Sequence, residues 1–233
     1  MTSARGTITS RLLVNATVDP DEAATRLPDG LRPRVTTEGT VVGCCLLDSA
    51  AIRPAGAPAA AGRRLRAAAH RISVEWTDRT GATVTGVCVL ARHTDSRLAI
   101  LLGGRWFPGI HQPAVLELRT AGPLLSWSSV PDDPGHAISV TATIPAGPAP
   151  PVSEEIAAAC LGATVALSPG RRQPLEAARM ETAHHRATTV VVEERRSAFI
   201  DGFSTARPAA SFLMRDVDVV WSTARESIPA SPG

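Results

Sequence analysis

Between Ala67 and Pro113 the chain gathers most of the side chains that could move a proton or hold an anion: His70, Arg71, Glu75, Arg92, His93, Asp95, Arg97, Arg105 and His111. Imidazoles and carboxylates are the usual general acids and bases near neutral pH. Guanidinium groups present paired donors that fit a carboxylate or a phosphate. Spacing decides which of these groups can act together. In AAAHRISVEW, alternation puts Ala68, His70, Ile72, Val74 and Trp76 on one strand face and Arg71, Ser73 and Glu75 on the other. His70 and Glu75 therefore cannot share a proton or a metal ion. His70, alone on an apolar face, reads as a core-edge histidine bonded to backbone. Glu75 either points into a pocket, where burial raises its pKa unless an arginine compensates, or pairs with an arginine outside.

His93 and His111 flank a short helical run, and Asp95 or Glu75 could supply the third ligand that a two-histidine metal site needs. The spacing fits no metal motif, so no metal and no other cofactor is expected. His184 and His185 point apart if extended. Arg92, Arg97 and Arg105 surround the same helix as a candidate anion clamp; alternatively they are solvated, or pair with Asp95 and Glu117. Ser73 and Ser96 have histidines nearby in sequence, but there is no G-x-S-x-G turn. Gly103-Gly104 lacks the lysine of a phosphate loop and reads as a helix C-terminal cap.

Composition removes whole classes of chemistry. All 24 basic residues are arginine, and neither lysine nor tyrosine occurs in the 233 residues. Schiff-base and lysine-base mechanisms thus have no side-chain amine to use. A net charge of +2 gives no large basic field for nucleic acid or an anionic membrane, and 3% aromatics are too few for base stacking. The four cysteines, Cys44, Cys45, Cys88 and Cys160, form no C-x-x-C pair and read as buried, reduced thiols of a cytoplasmic protein. No signal peptide and no membrane span are expected.

The elements that must position these groups are mostly extended. Thr9 to Val18 is strand-like. Asp19-Pro20-Asp21-Glu22 starts a short helix, with Asp19 as cap and Glu22 three residues on, and Pro28 and Gly30 end it near Leu27. Leu31–Thr37, Thr40–Leu47, Ala67–Thr77 and Ala82–Arg92 read as strands, the last apolar on both faces as a barrel wall would be. Thr94 or Asp95 caps the helix before Gly103-Gly104. Ala114–Thr120, Leu124–Val130 and Ala137–Ile144 follow as strands, joined by Gly-Pro and Pro-Asp-Asp-Pro-Gly turns. Ser153 caps a helix to about Leu161. Leu175–Glu181 is ambiguous, and Thr188–Glu194 and Ala210–Ser222 are strands. The expectation is an α+β chain, mostly antiparallel strands with about three short helices, forming a single domain over residues 1–223 with a disordered tail over 224–233.

Several pieces resemble the acetoacetate-decarboxylase-like superfamily: RLLVNATVDPDEAATRLPDGLRP, a strand running into a capped helix and a Leu-Pro-x-Gly-Leu turn; then VVGCCLLD, AAAHRISVEW, SRLAILLGGRWFPG and ASFLMRDVDVVW. In order and spacing they are most similar to an uncharacterised YqjF-like branch. The resemblance implies an antiparallel β-cone or barrel around a pocket, often assembled as a homodimer or larger homo-oligomer. It does not imply decarboxylation. The family's lysine pair follows an aromatic-proline step. Here that step is Phe107-Pro108, and Gly109-Ile110 follow it. Thr17 stands where the family has an arginine, and an acid of the second long strand falls near Cys44.

The leading expectation is a protein that binds a small carboxylate or oxo acid in a barrel pocket, without Schiff-base chemistry. Arg97, Arg105, Trp106, Phe107, His111 and Glu75 are the expected contacts. One alternative is an enzyme using Glu75 or a histidine such as His111 as general acid–base on a small oxo acid. The other is a structural protein with a filled barrel.

Overall fold

The computed structural model describes residues 3–104, 107–147, 151–171, 173–182 and 186–224. Arg105, Trp106, His184 and His185 lie outside the described residues, as do 225–233. The elements run β1 (Ser3–Val18), α1 (Pro20–Ala24), β2 (Arg32–Pro33), β3 (Val35–Thr36), β4 (Gly39–Pro54), β5 (Arg63–Thr77), β6 (Thr83–Thr94), α2 (Arg97–Leu102), β7 (Gln112–Ala121), β8 (Leu124–Pro131) and β9 (Ile138–Thr143). They continue α3 (Glu154–Leu161), β10 (Val165–Pro169), β11 (Leu175–Thr182), β12 (Ala187–Ser197), α4 (Ala198–Asp201), β13 (Arg207–Pro208) and β14 (Ser211–Thr223). A single 3₁₀ turn, Pro134–His136, joins β8 to β9. The mostly antiparallel α+β expectation holds. Leu175–Glu181 resolves as strand, and α4 is a fourth short helix that the sequence reading missed.

The strands close on themselves twice. One circuit runs β14-β12-β9-β8-β7-β6-β5-β4-β1 and back to β14. A second leaves β6 through β10 and β11 to β14 and returns along β1, β4 and β5. The shared wall of β14, β1, β4, β5 and β6 is covered on both faces, which is why its segments read as continuous apolar runs. Toward the main core β1, β4 and β5 send Leu12, Val14, Cys44, Leu46, Ala68, Ile72 and Trp76, packed against Trp127 and Phe199. Leu13, Val41 and Phe212 pack on the other face against Ile156, Ala159 and Cys160 of α3.

Helix ends differ in detail from the sequence pattern. Asp19 caps α1 by accepting from the Asp21 N–H. Glu22 does not return to Asp19. It accepts from the Ser204 and Thr205 amides and the Thr205 hydroxyl, tying α1 to the segment before β13, and these bonds hold its pKa down at about 2. Ser96, not Thr94 or Asp95, caps α2 by accepting from Ala99 N–H. Asp95 accepts from the Arg66 amide, and Thr94 Oγ1 donates to the Arg66 carbonyl. Ala224, expected to open a disordered tail, is fully buried and donates to the Ala177 carbonyl.

Arg71, on the α3 side of the wall, is 4% exposed and has no carboxylate partner among the described residues. Its guanidinium donates to Asn15 Oδ1 (3.1 Å) and the Cys160 carbonyl (3.3 Å), and burial lowers its pKa. Asn15 in turn donates to the Ala210 carbonyl at 2.8 Å. Asn15→Ala should therefore destabilise the fold by about 2 kcal/mol, the usual loss when a buried charge is stripped of an acceptor. A lower urea midpoint at unchanged slope would show it, and an unchanged midpoint would refute this role for Asn15.

Candidate functional site

The site arises where β6 changes partner. One edge of β6 pairs with β5 along its length. The other pairs with β10 at Val87 and Cys88 and with β7 at His93 and Thr94, in both cases parallel. Between these contacts residues 89–92 have no ladder partner on this second edge among the described residues. Leu90 is an extra residue there, since His70 faces Ala91 while Arg71 faces Val89. Such a bulge bends the strand and interrupts its pairing. A cavity of about 230 Å³ occupies the gap, lined by Val89 to Arg92, by Ile110 and Gln112 before and in β7, by Ser168 and Pro169 of β10, and by Asp133 and His136. That is below the roughly 300 Å³ at which drug-sized pockets begin, so an occupant must be small.

Arg92 is the dominant charge of this cavity. Its Nε and Nη2 donate to one acceptor, Ser168 Oγ, at 3.1 and 2.8 Å. No carboxylate pairs with it among the described residues; the groups acting on it electrostatically are the thiols Cys45 and Cys88. Burial lowers its pKa, yet a guanidinium remains charged. Gly109 seats the preceding loop on it. At φ +90° the glycine backbone fits, and a Cβ there would stand 3.0 Å from Arg92 Nε. The Gly109 amide is fixed from behind by Glu176 Oε2 at 2.9 Å.

A cluster of imidazoles forms one end of the cavity and extends into the core. His70, His93 and His136 have ring centroids 5.6, 5.0 and 5.5 Å apart, with Phe199 5.3 Å from His70. His136 Nδ1 lies 2.7 Å from Asp133 Oδ2, while Asp133 Oδ1 accepts from the Gly135 amide. The Gly135 bond and then the His136 contact hold the Asp133 pKa down. His93 Nε2 lies 3.1 Å from Gln112 Oε1, which fixes its proton on Nε2 and leaves Nδ1 unpartnered. Burial lowers its pKa as well. His70 is fully buried with neither nitrogen partnered; the His136 main chain approaches the ring outside hydrogen-bonding geometry. Burial, and then the neighbouring His136 and His93, bring its pKa down to about 3. Among the described residues no group of three histidine, cysteine or acidic side chains is arranged to hold a metal ion.

The expected site residues separate. His111 stands beside the cavity, its Nδ1 buried against Gly103, and burial plus the Arg92 charge bring its pKa down to about 4. Phe107 is partly buried in the same loop and bridges Gly103. Arg97 is exposed on α2 and has no part in the cavity. Glu75 is a correction. It is opposite Thr85, about 20 Å along β5 from the partner of His93 at the usual strand rise. Its side chain is 36% exposed and faces Arg32 at 3.6 Å. It lies on the Arg71 face of the wall, so it shares no ligand with His111. His70 is inside the core, as its strand face required, with the His136 main chain as the backbone nearest its ring. The reading missed Gln112, Asp133, His136 and Ser168. The one local signal was Asp133-Pro134-Gly135-His136, an Asx-capped turn with acid and imidazole three apart, taken only as a turn.

A larger hollow of about 480 Å³ lies on the outer face of β7, β8, β9 and β12, lined by Glu117, Arg119, Ser126, Ser128, Glu194 and Arg196 among others. Its charges pair with each other in solvent, Arg119 with Glu117 and Arg196 with Glu194, both at 3.0 Å.

No protein-family model and no curated protein sequence matches the chain. Solved structures do share its fold. An acetoacetate decarboxylase from Legionella pneumophila superposes with a TM-score of 0.66 at 13% identity, over 95% of this chain and 86% of that one. An acetoacetate decarboxylase-like enzyme from Sphingomonas wittichii RW1 gives 0.64 at 14% identity, over 96% and 91%. The enduracididine biosynthesis enzyme MppR, complexed with pyruvate, gives 0.58 at 13% identity, over 97% and 88%. The chain therefore has the acetoacetate-decarboxylase-like fold.

The buried histidines set an acid limit on this fold. The folded pKa of His70 is below the ordinary 6.5, so the unfolded chain takes up the proton first as pH falls. Stability from a neutral His70 is complete above about pH 6.5 and drains toward pH 3 by at most about 1.4 kcal/mol per pH unit. His70→Phe should flatten this loss between pH 6.5 and 4 in urea unfolding, and an equally steep loss in the variant would count against it.

Proposed function

We propose that the chain binds a small carboxylate, of the size of a short oxo acid, in the cavity where β6 changes partner. Arg92 is the observation that carries this: a guanidinium held among apolar strands, answered by a single hydroxyl, and set at the wall of a cavity too small for a large ligand. A carboxylate in the cavity supplies the missing counter-charge with paired bonds. Gln112 and His136 add polar contacts, and Val89, Leu90 and Ile110 an apolar wall. The likeness to MppR complexed with pyruvate supports a ligand of this class. The four unpaired cysteines support a reducing, cytoplasmic setting.

Two measurements test the reading. Pyruvate or acetoacetate should bind in calorimetry, and Arg92→Met should weaken binding at least tenfold with little change in melting temperature, since an apolar residue of similar length replaces a buried charge at small cost. Equal affinity in the variant would remove Arg92 from the site. Borohydride reduction with either keto acid should leave no adduct on any side chain, because the sequence offers no lysine amine. A side-chain adduct would overturn the non-covalent reading.

A further inference from the structure

We propose that His136, oriented by Asp133, is a general base that enolises the oxo acid held at Arg92. The inference rests on the binding reading above and adds a reaction to it. The geometry has three parts. Asp133 Oδ2 is 2.7 Å from His136 Nδ1, so the ring proton sits on Nδ1 and the Nε2 lone pair is free. No other side chain among the described residues hydrogen-bonds His136. His136 and Arg92 line the same cavity, which is only about 8 Å across if taken as a sphere, so a ligand of a few heavy atoms reaches both. The adjoining rings cannot replace His136. His93, whose Nδ1 is unpartnered, and His70 are both fully buried and outside the cavity lining, whereas His136 lines it.

The step balances without a co-reactant. The C–H bond beside the keto carbonyl breaks, its proton goes to His136 Nε2, its electron pair forms the C=C bond, and the carbonyl π pair moves onto oxygen. The enolate stays paired with Arg92 through its carboxylate, and Arg92 Nη1, which has no protein acceptor among the described residues, is available to the new oxyanion. Return of a proton from His136 regenerates the oxo acid.

The experiment is proton exchange on pyruvate in D₂O, followed by loss of the methyl resonance, with pyruvate affinity measured alongside. The wild-type protein should exchange the methyl protons well above the buffer rate. His136→Gln should lower that rate about a hundredfold, the lower range for a positioned base, while pyruvate still binds. Asp133→Asn should lower the exchange rate but leave the dissociation constant unchanged, a split that a merely structural role for Asp133 does not produce. Glu75→Ala is the control and should change neither. Binding without exchange in the wild type overturns the general base and leaves the carboxylate site standing. Failure of pyruvate to bind overturns both. Exchange that disappears with a chelator and returns with zinc makes the histidines metal ligands and overturns His136 as the base.

Discussion

A β-strand has two edges, and β6 has three neighbours. β5 takes one edge completely, so β7 and β10 must divide the other. Both divided contacts are parallel and short. Between them residues 89–92, with the bulge at Leu90, have no ladder partner on this second edge among the described residues. In most barrels a ligand cavity comes from the lumen or from loops over its mouth. Here the cavity follows from sheet topology. β6 itself, the end of β10 and the approach to β7 line it, and the turn between β8 and β9 brings in Asp133 and His136.

The same architecture governs where charge can be tolerated. The wall shared by the two strand circuits is covered on both faces, yet it carries Arg71 and Arg92. A lysine in such a place can shed its proton, whereas a guanidinium cannot and must be answered by dipoles or by a counter-charge. Arg71 is answered by Asn15 and a main-chain carbonyl. At the rim, Asp48 is answered fully by charge, with Arg64 at 2.6 Å and Arg66 at 3.8 Å. Among the described residues Arg92 has one hydroxyl as acceptor, beside an open cavity.

Alternation in AAAHRISVEW made the faces of β5 legible, and they are as the sequence requires. What alternation cannot say is which face encloses space. Glu75 pairs with Arg32 on the outside and His70 is in the core, so neither face of β5 supplies a side chain to the cavity. The double apolar character of β6 correctly marked a wall covered on both sides. Its third neighbour was not legible, because β10 comes from a segment far along the chain and touches β6 at only two residue pairs. The loop before Gln112 contributes Ile110 to the cavity wall, with His111 and Gly109 next to it in the chain. The partners completing it, Asp133, His136 and Ser168, come from other elements, and no local period links them to Arg92. The absence of any lysine was readable directly, because composition needs no tertiary information.

Volume by itself would choose the wrong hollow. The outer face of β7, β8, β9 and β12 encloses about twice the space of the cavity at β6. Yet its arginines and glutamates are already paired within the protein, and their side chains are mostly in solvent, where screening makes each pair worth little. A ligand arriving there would have to displace an existing partner for a small return. At β6 the opposite holds. The guanidinium is partly buried and has no carboxylate partner among the described residues, and the imidazoles beside it have unpartnered nitrogens. A carboxylate arriving there meets a charge already partly withdrawn from water, which a solvent-exposed pair cannot offer.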